Sequence, residues 1–179
     1  MIKISGGEFR SRTIETPDSL LVPTKSMVRE AAANMVLSEL PGARCLDLFA
    51  GSGAVGIEFL SRGAASVVFA DQSADCVKTI LKNIKSLQIG DKASVFQGNS
   101  LEFLREANTP FDIVFIDPPY KEASLYQETT ILLIERNLLS DKAILIYEYE
   151  GECPIDDSRL IFSKEHRYGK TKLIKAELK

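Results

Sequence analysis

The four residues Asp117-Pro118-Pro119-Tyr120 are the part of this chain best suited to chemistry. They follow an apolar run, Phe111 to Ile116, that reads as a buried strand. Two prolines cannot continue a central strand, so the strand is predicted to stop at Asp117 and the chain to turn rigidly beyond it. That presents a carboxylate, the Pro118 carbonyl and a tyrosine ring together at one sheet edge. Such a set suits an aromatic exocyclic amine, whose lone pair is delocalised into its ring and which is therefore a poor nucleophile. Acceptors aimed at its two N–H bonds turn the nitrogen toward an electrophile and stabilise the positive charge that builds on it. Tyr120 would stack on the base once it has swung out of its helix or loop. The plainer alternative is a Pro-Pro turn with an acid capping a helix. Its position after an apolar strand, and downstream of a glycine-rich loop, favours the chemical reading.

That loop is Gly51-Ser52-Gly53-Ala54-Val55-Gly56, placed between the apolar run Cys45–Phe49 and a helical stretch. In an open α/β sheet ligands bind beyond the carboxyl ends of the strands, and glycine lets a ligand approach the backbone and frees main-chain N–H groups there. Asp71 follows Gly51 by twenty residues, where a ribose-binding acid belongs. The spacing alone fits a nicotinamide dinucleotide as well as S-adenosylmethionine. Asp47 favours the second. It is an acid inside an apolar strand, costly to bury unless it meets loop amides or a cationic cofactor. The bland readings are a structural acid at Asp47 and a helix-capping acid at Asp71.

These groups need a sheet to position them. From Arg44 onward apolar runs alternate with amphipathic stretches: strands at Cys45–Phe49, Val67–Ala70, Ala93–Gln97, Phe111–Ile116, Ala143–Glu148, Arg159–Lys164 and Lys172–Glu177. Helices are predicted at Ala54–Ser61, after the N-cap Ser73, at Leu101–Arg105 and at Leu125–Glu135. In the second of these, Val77, Ile80, Leu81, Ile84 and Leu87 share one face. Continuous apolar strands separated by helices imply a parallel sheet covered on both faces. The last two strands have only a turn around Tyr168-Gly169-Lys170 between them and should pair as an antiparallel hairpin at one edge. The expected fold class is thus α/β, a Rossmann-like seven-stranded methyltransferase fold. Residues 1–40 read as an arm, a small β-hairpin around Gly6-Gly7 and a helix from Thr24 to Leu40, packed on a main domain of residues 41–179.

The chain has 179 residues, 45% of them hydrophobic, enough for one buried core. It has no apolar run of membrane-spanning length and no signal-peptide pattern at its start, so a cytoplasmic protein is expected. Cys45, Cys76 and Cys153 fit neither a disulfide framework nor a zinc ribbon and read as reduced, buried thiols. The one histidine, His166, excludes a histidine-based metal site and sits in a basic strand end. No metal is expected. The net charge of −3 is unevenly spread: Arg159 to Lys179 holds seven bases against two acids, and Met1 to Arg29 five against three. The two ends are therefore the candidate electrostatic footprint for a polyanion, the alternative for the tail being a solvated edge.

With these residues placed, the chain resembles the bacterial 16S rRNA guanine-N2 methyltransferases that modify guanine 966. The resemblance lies in Leu46 to Glu58 with Ser61-Arg62-Gly63-Ala64, in Ile4-Ser5-Gly6-Gly7 with Arg10 and Arg12, and in Pro23-Thr24 before Val28-Arg29-Glu30. It continues in Asp117–Tyr120 and Tyr168-Gly169. It implies catalysis by Asp117, Pro118, Pro119 and Tyr120, with S-adenosylmethionine as the cofactor. The cofactor would be held by Asp47, Phe49, Gly51, Ser52, Gly53, Asp71, Gln72, Asn99 and Ser100. Arg10, Arg12, Thr24, Lys25, Arg29 and Lys170 would contact 16S rRNA in an assembling small subunit, with the protein acting as a monomer. The chain departs from the family pattern at Val22, where an arginine is expected, at Ser26-Met27, where a polar and basic pair is expected, and at Asn99, where an acid is common. The Asn99 side-chain carbonyl could still meet the adenine amino group.

Other readings are a DNA adenine-N6 or protein-glutamine methyltransferase and a nicotinamide-dependent oxidoreductase. The chain leaves no room for the target-recognition domain usual in the DNA enzymes, and the glutamine enzymes start the motif with Asn. The oxidoreductase leaves Asp47 and Asp117–Tyr120 without a role. A non-catalytic ribosome-assembly factor would be favoured only if the cofactor did not bind.

Overall fold

Two sheets and five helices make up the computed structural model, which describes residues 1–19 and 24–179. Val22 and Pro23 lie outside the described residues. The arm contributes β1 (Ile2–Lys3), β2 (Thr13–Ile14) and α1 (Ser26–Met35). The alternating part follows as β3 (Arg44–Leu48), α2 (Ala54–Ser61), β4 (Ser66–Asp71), α3 (Ala74–Leu87), β5 (Ala93–Gln97), α4 (Ser100–Glu106), β6 (Phe111–Ile116), α5 (Ser124–Glu135) and β7 (Leu139–Glu150). The chain closes with β8 (Leu160–Phe162), β9 (His166–Tyr168) and β10 (Thr171–Leu178).

The main sheet runs β5-β4-β3-β6-β7-β10-β8, with β9 also paired to β10. Strands β3 to β7 are parallel, and β8, β9 and β7 each pair antiparallel with β10. This is the Rossmann-like order with a reversed edge that the apolar runs predict. The terminal hairpin is interrupted by β9, so the sheet has eight strands rather than seven. Winding starts at β3, moves out to β5 and returns to β6 on the other flank of β3. The loops after β3 and β6 therefore diverge to opposite faces, leaving a crevice between them where ligands bind in such sheets.

Local sequence explains the borders. Ser73 caps α3 by accepting from the Cys76 N–H at 3.3 Å, with Asp75 in the first turn. On α3, Val77, Ile80, Ile84 and Leu87 are buried as expected, but Leu81 is 51% exposed, because it falls at the margin of that stripe, away from the sheet. Cys45 and Cys76 are buried, whereas Cys153, in the link between β7 and β8, is exposed, so the expectation of three buried thiols holds for two of them.

The arm is continuous with the main core: Ile4, Ile14, Val28, Ala32 and Val36 pack in one cluster with Ile57, Phe59 and Ile146. Polar bonds lock it onto α2. The Ser5 N–H donates to Glu58 Oε1 at 2.7 Å, the Glu8 N–H to the Ser61 carbonyl at 2.7 Å and the Phe9 N–H to Ser61 Oγ at 2.9 Å. Gly7, at φ +78°, passes so near Ser61 that a Cβ there would lie 1.9 Å from its carbonyl oxygen. Beneath this junction Arg29, Glu58 and Arg62 form a charged cluster, with Arg29 Nε 3.9 Å and Arg62 Nε 3.6 Å from the Glu58 carboxylate.

Candidate active site

The crevice is floored by carboxylates on neighbouring strands. In the parallel register Asp47 lies beside Phe115 and Ile116 lies beside Tyr147, so Asp117 follows one step beyond, next to Glu148. Side chains alternate along a strand, so Asp47, Asp117 and Glu148 share the face of Phe115 and Ile146, toward the arm and α2.

Asp47 is 2% exposed, and its carboxylate accepts from the Gly56 N–H at 2.9 Å. Burial pushes its carboxyl up to about 8; the Gly56 bond opposes this, and the charges of Asp117 and Asp71 reinforce it. Burial likewise pushes the half-buried Asp117 up to about 7. Asp71 uses both oxygens, accepting from Gly51 N–H and Ser73 N–H at 2.8 Å each, so it ties the glycine loop to the start of α3. Each carboxylate oxygen keeps further acceptor capacity, so these structural bonds leave Asp71 able to meet a ribose hydroxyl as well.

The loop differs from a phosphate cradle. Ala50 N–H donates to Ala70 O at 3.0 Å and Gly53 N–H to Ala50 O at 2.8 Å, while Gly51 and Gly56 donate to Asp71 and Asp47. The amides expected to be freed for a ligand are thus largely engaged by protein. A pyrophosphate would meet few open donors and a buried acid beneath them. Sulfonium and ammonium charges with ribose hydroxyls match this acceptor-rich floor, so the residues fit S-adenosylmethionine better than a dinucleotide. Phe49, at φ +65°, holds a left-handed conformation unusual for a non-glycine residue where the chain leaves β3 for the loop. Ser52 and Ser100 are buried and Gln72 is exposed. Asn99 behaves otherwise than expected: its side-chain carbonyl caps α4, accepting from Leu101 N–H at 2.8 Å and Glu102 N–H at 3.3 Å. The carbonyl is therefore committed to the helix, and only its amide N–H groups remain for a ligand.

At the D-P-P-Y turn, the Pro119 carbonyl accepts from Glu122 N–H at 2.9 Å, which closes the turn without using the Pro118 carbonyl. Pro118 is buried and Pro119 exposed. Tyr120 is 75% exposed, and its hydroxyl donates to Glu150 at the end of β7. The ring is fixed at its tip and open on its faces.

The residues expected to meet RNA divide. Arg10, Lys25 and Lys170 are exposed, and the β10 register places Lys170 next to Thr171, opposite Glu150 at the crevice edge. Arg12 is exposed and donates to the Ser86 carbonyl at 2.8 Å. Thr24 is half-buried, and its carbonyl accepts from Arg29 Nη1 at 2.7 Å. Arg29 is a correction: it is 2% exposed and donates also to the Lys3 carbonyl at 2.9 Å, so it serves the arm–α2 junction and not a phosphate. The basic tail is likewise no single patch. Lys170 and Arg167 lie at one end of β10, whereas Arg159 and Lys179 lie at the other, bonded Lys179 N–H to Arg159 O at 2.9 Å. Arg159 is also paired with Asp157 at 2.6 Å, and Lys172 with Glu165 at 3.3 Å.

Glu148 was not singled out by sequence. Its Oε2 is closed off from solvent and has no hydrogen-bond partner among the described residues. Burial raises its carboxyl well above the ordinary glutamate value, reinforced by the charges of Asp117 and Asp47 and opposed by the Thr24 hydroxyl. The signal was the one that exposed Asp47, an acid continuing an apolar strand.

A Rossmann-like sheet carrying an acidic cofactor crevice and a D-P-P-Y turn at its switch point defines an S-adenosylmethionine-dependent methyltransferase. The chain belongs to the family described as conserved hypothetical protein 95, whose model matches residues 2–176. It is 40% identical over 152 residues to ribosomal RNA small subunit methyltransferase D of Escherichia coli, covering 84% of this chain and 76% of that protein. The protein of the same name from Haemophilus influenzae is 35% identical over 158 residues, covering 86% and 81%. The solved structure of Escherichia coli yhhF superposes with a TM-score of 0.90 at 34% identity, covering 99% of this chain and 97% of that one. Among the described residues no helix is long and apolar enough to cross a membrane.

Proposed function

We propose that this chain transfers a methyl group from S-adenosylmethionine to the exocyclic N2 of a guanine in 16S rRNA, within an assembling small subunit in the cytoplasm. The observation that carries the reading is the Asp117 carboxylate beside the Pro118 carbonyl, which accepts no hydrogen bond among the described residues, one strand from Asp47 at the switch point. When bound, S-adenosylmethionine supplies an electrophilic methyl group on a sulfonium. Asp47 and Asp71 would hold its charged and ribose ends, with Phe49, Gly51, Ser52 and Gly53 as the wall and Gln72, Asn99 and Ser100 on the adenine side. Asp117 and Pro118 accept the two N–H bonds of the guanine amine, orienting its nitrogen and stabilising the charge it acquires. Asp117 also takes the proton that the nitrogen sheds. Tyr120, anchored through Glu150, offers a ring face to the extruded base. Arg10, Arg12, Lys25 and Lys170 position the RNA backbone without reading its sequence.

The test is transfer from labelled S-adenosylmethionine to small-subunit rRNA or partly assembled subunits, followed by nucleoside analysis. Labelled N2-methylguanosine is the expected product. Label in N6-methyladenosine, or in protein only, would overturn the guanine assignment while leaving the methyltransferase class intact.

A further inference from the structure

Most charged groups around the crevice have an evident partner. Asp47 has Gly56, Asp71 has Gly51 and Ser73, and Glu150 has Tyr120. Glu148 is different. It ends the apolar stretch Ala143–Tyr147, the Tyr126 hydroxyl holds its backbone carbonyl and the Thr24 hydroxyl meets its carboxylate, yet Oε2 is shut away from bulk water with no hydrogen-bond partner among the described residues. A buried acceptor left in this state is costly in a folded protein, and at an active site it marks a place where a ligand donor belongs. It is not part of a cation site, since among the described residues no three acidic, histidine or cysteine side chains are grouped to hold a metal ion.

Its position says which donor. The β6–β7 register ends with Ile116 beside Tyr147, so Asp117 and Glu148 each follow by one residue on the same sheet face, near enough for their charges to interact, and a base whose amine is held by Asp117 would bring a ring atom beside that amine toward Glu148. Guanine flanks its amine with two ring nitrogens, N3, a bare acceptor, and N1, which carries a hydrogen, so only the N1 side can satisfy a free acceptor; in adenine or 2-aminopurine every ring nitrogen beside the amine is a bare acceptor. We infer, on the guanine reading above, that Glu148 is the residue that selects the base, its free Oε2 accepting the guanine N1–H beside the amine under attack. An acceptor facing an acceptor leaves both desolvated groups unpaired, and sites built on such a bond reject the analogue that lacks the donor strongly. Asp117 thus serves the reaction, and Glu148 the choice of substrate.

The experiment uses small-subunit rRNA carrying either guanine or 2-aminopurine at the nucleotide the protein methylates. 2-Aminopurine keeps the amine but has no N1–H. The wild-type protein is expected to favour guanine by about a hundredfold or more in kcat/KM. Glu148→Gln can turn its amide either way, so it should compress that preference at least about tenfold while cofactor affinity stays within about twofold. An unchanged preference in Glu148→Gln, in a protein that melts like the wild type, overturns the inference. If Glu148→Gln does not fold, Glu148→Asp decides. It keeps the charge but withdraws it by one methylene, and an unchanged guanine kcat/KM there also overturns the inference. Failure of the wild type to methylate guanine at all would instead overturn the proposed function.

Discussion

Asp117→Ala is expected to lower the rate of methyl transfer about 10²–10³-fold, the loss typical when one preorganised charge-stabilising group is removed. Cofactor affinity should change little, because Asp71 and the glycine loop are held by bonds that do not involve Asp117. Single-turnover transfer and calorimetric titration of S-adenosylmethionine separate the two quantities. Full activity in the alanine variant would remove the role assigned to this carboxylate. The pH dependence gives a second view. Burial pushes the Asp117 carboxyl up to about 7, and only the ionised form can accept both the amine N–H and its proton. In the free enzyme kcat/KM should therefore rise with pH, by up to about tenfold per unit below that value, and level off above it. Asp47, pushed up to about 8, and Glu148 titrate in the same crevice, so the acid limb is a property of the cluster. Asp117→Asn should flatten the limb; an unaltered limb would assign the titration to the other two acids.

The sheet was readable because its strands are continuous apolar runs, and α2, β5 and β6 were predicted at their observed limits. Their borders are marked by residues with strong backbone preferences, glycine before α2 and proline on both sides of β6. Strand β7 was read too short, as Ala143–Glu148 in place of Leu139–Glu150. Its first residues, Ser140-Asp141-Lys142, are polar and lie beyond an irregularity in the pairing with β6, where no apolar pattern is required. Strand β9 was missed for a related reason: His166 and Arg167 are exposed on a short edge segment, so pairing with β10 alone defines it.

In the site, Asp47 and Asp117 were legible because an acid in an apolar run has to be explained by a partner. Glu148 carries the same mark, but at the end of a run an acid also reads as the strand's natural stop, and only the β6–β7 pairing, which ends at Ile116 with Tyr147, brings it near Asp117. Arg29 shows the opposite difficulty. A charged residue on an amphipathic helix belongs by default in water, and its burial follows from Glu58 on a different helix. The Asn99 carbonyl was assigned to a ligand although a residue of that type before a helix commonly caps it, as it does here. Local pattern therefore located the acidic strand ends that meet at the crevice, while the division between charges left open there and charges that brace the fold depended on pairings between elements.

The bracing charges give the second large effect. Glu58 is 1% exposed, and it is the acid facing Arg29, which is itself 2% exposed and held by the carbonyls of Thr24 and Lys3. Burial lowers the Arg29 pKa, and the Glu58 charge opposes this. Glu58→Ala would leave a guanidinium buried without its counter-charge and remove the acceptor of the Ser5 N–H, at a cost of about 3–5 kcal/mol. For a domain of this size that corresponds to a fall in melting temperature of roughly 6–20 °C. The loss should loosen the arm first, because Ser5 to Phe9 are tied to α2 through Glu58 and Ser61. Amide exchange over the first residues of the chain should therefore rise more than exchange in β3 and β6. Pairing Glu58→Leu with Arg29→Met removes the buried ion pair and leaves Arg62 its bonds to Asn34 and Ser5, so it should recover part of the stability that either change alone destroys. A Glu58→Ala protein melting within about 2 °C of the wild type, a shift worth no more than ~1 kcal/mol, would show that solvent reaches the junction and that the arm is held by its apolar contacts and its bonds to Ser61.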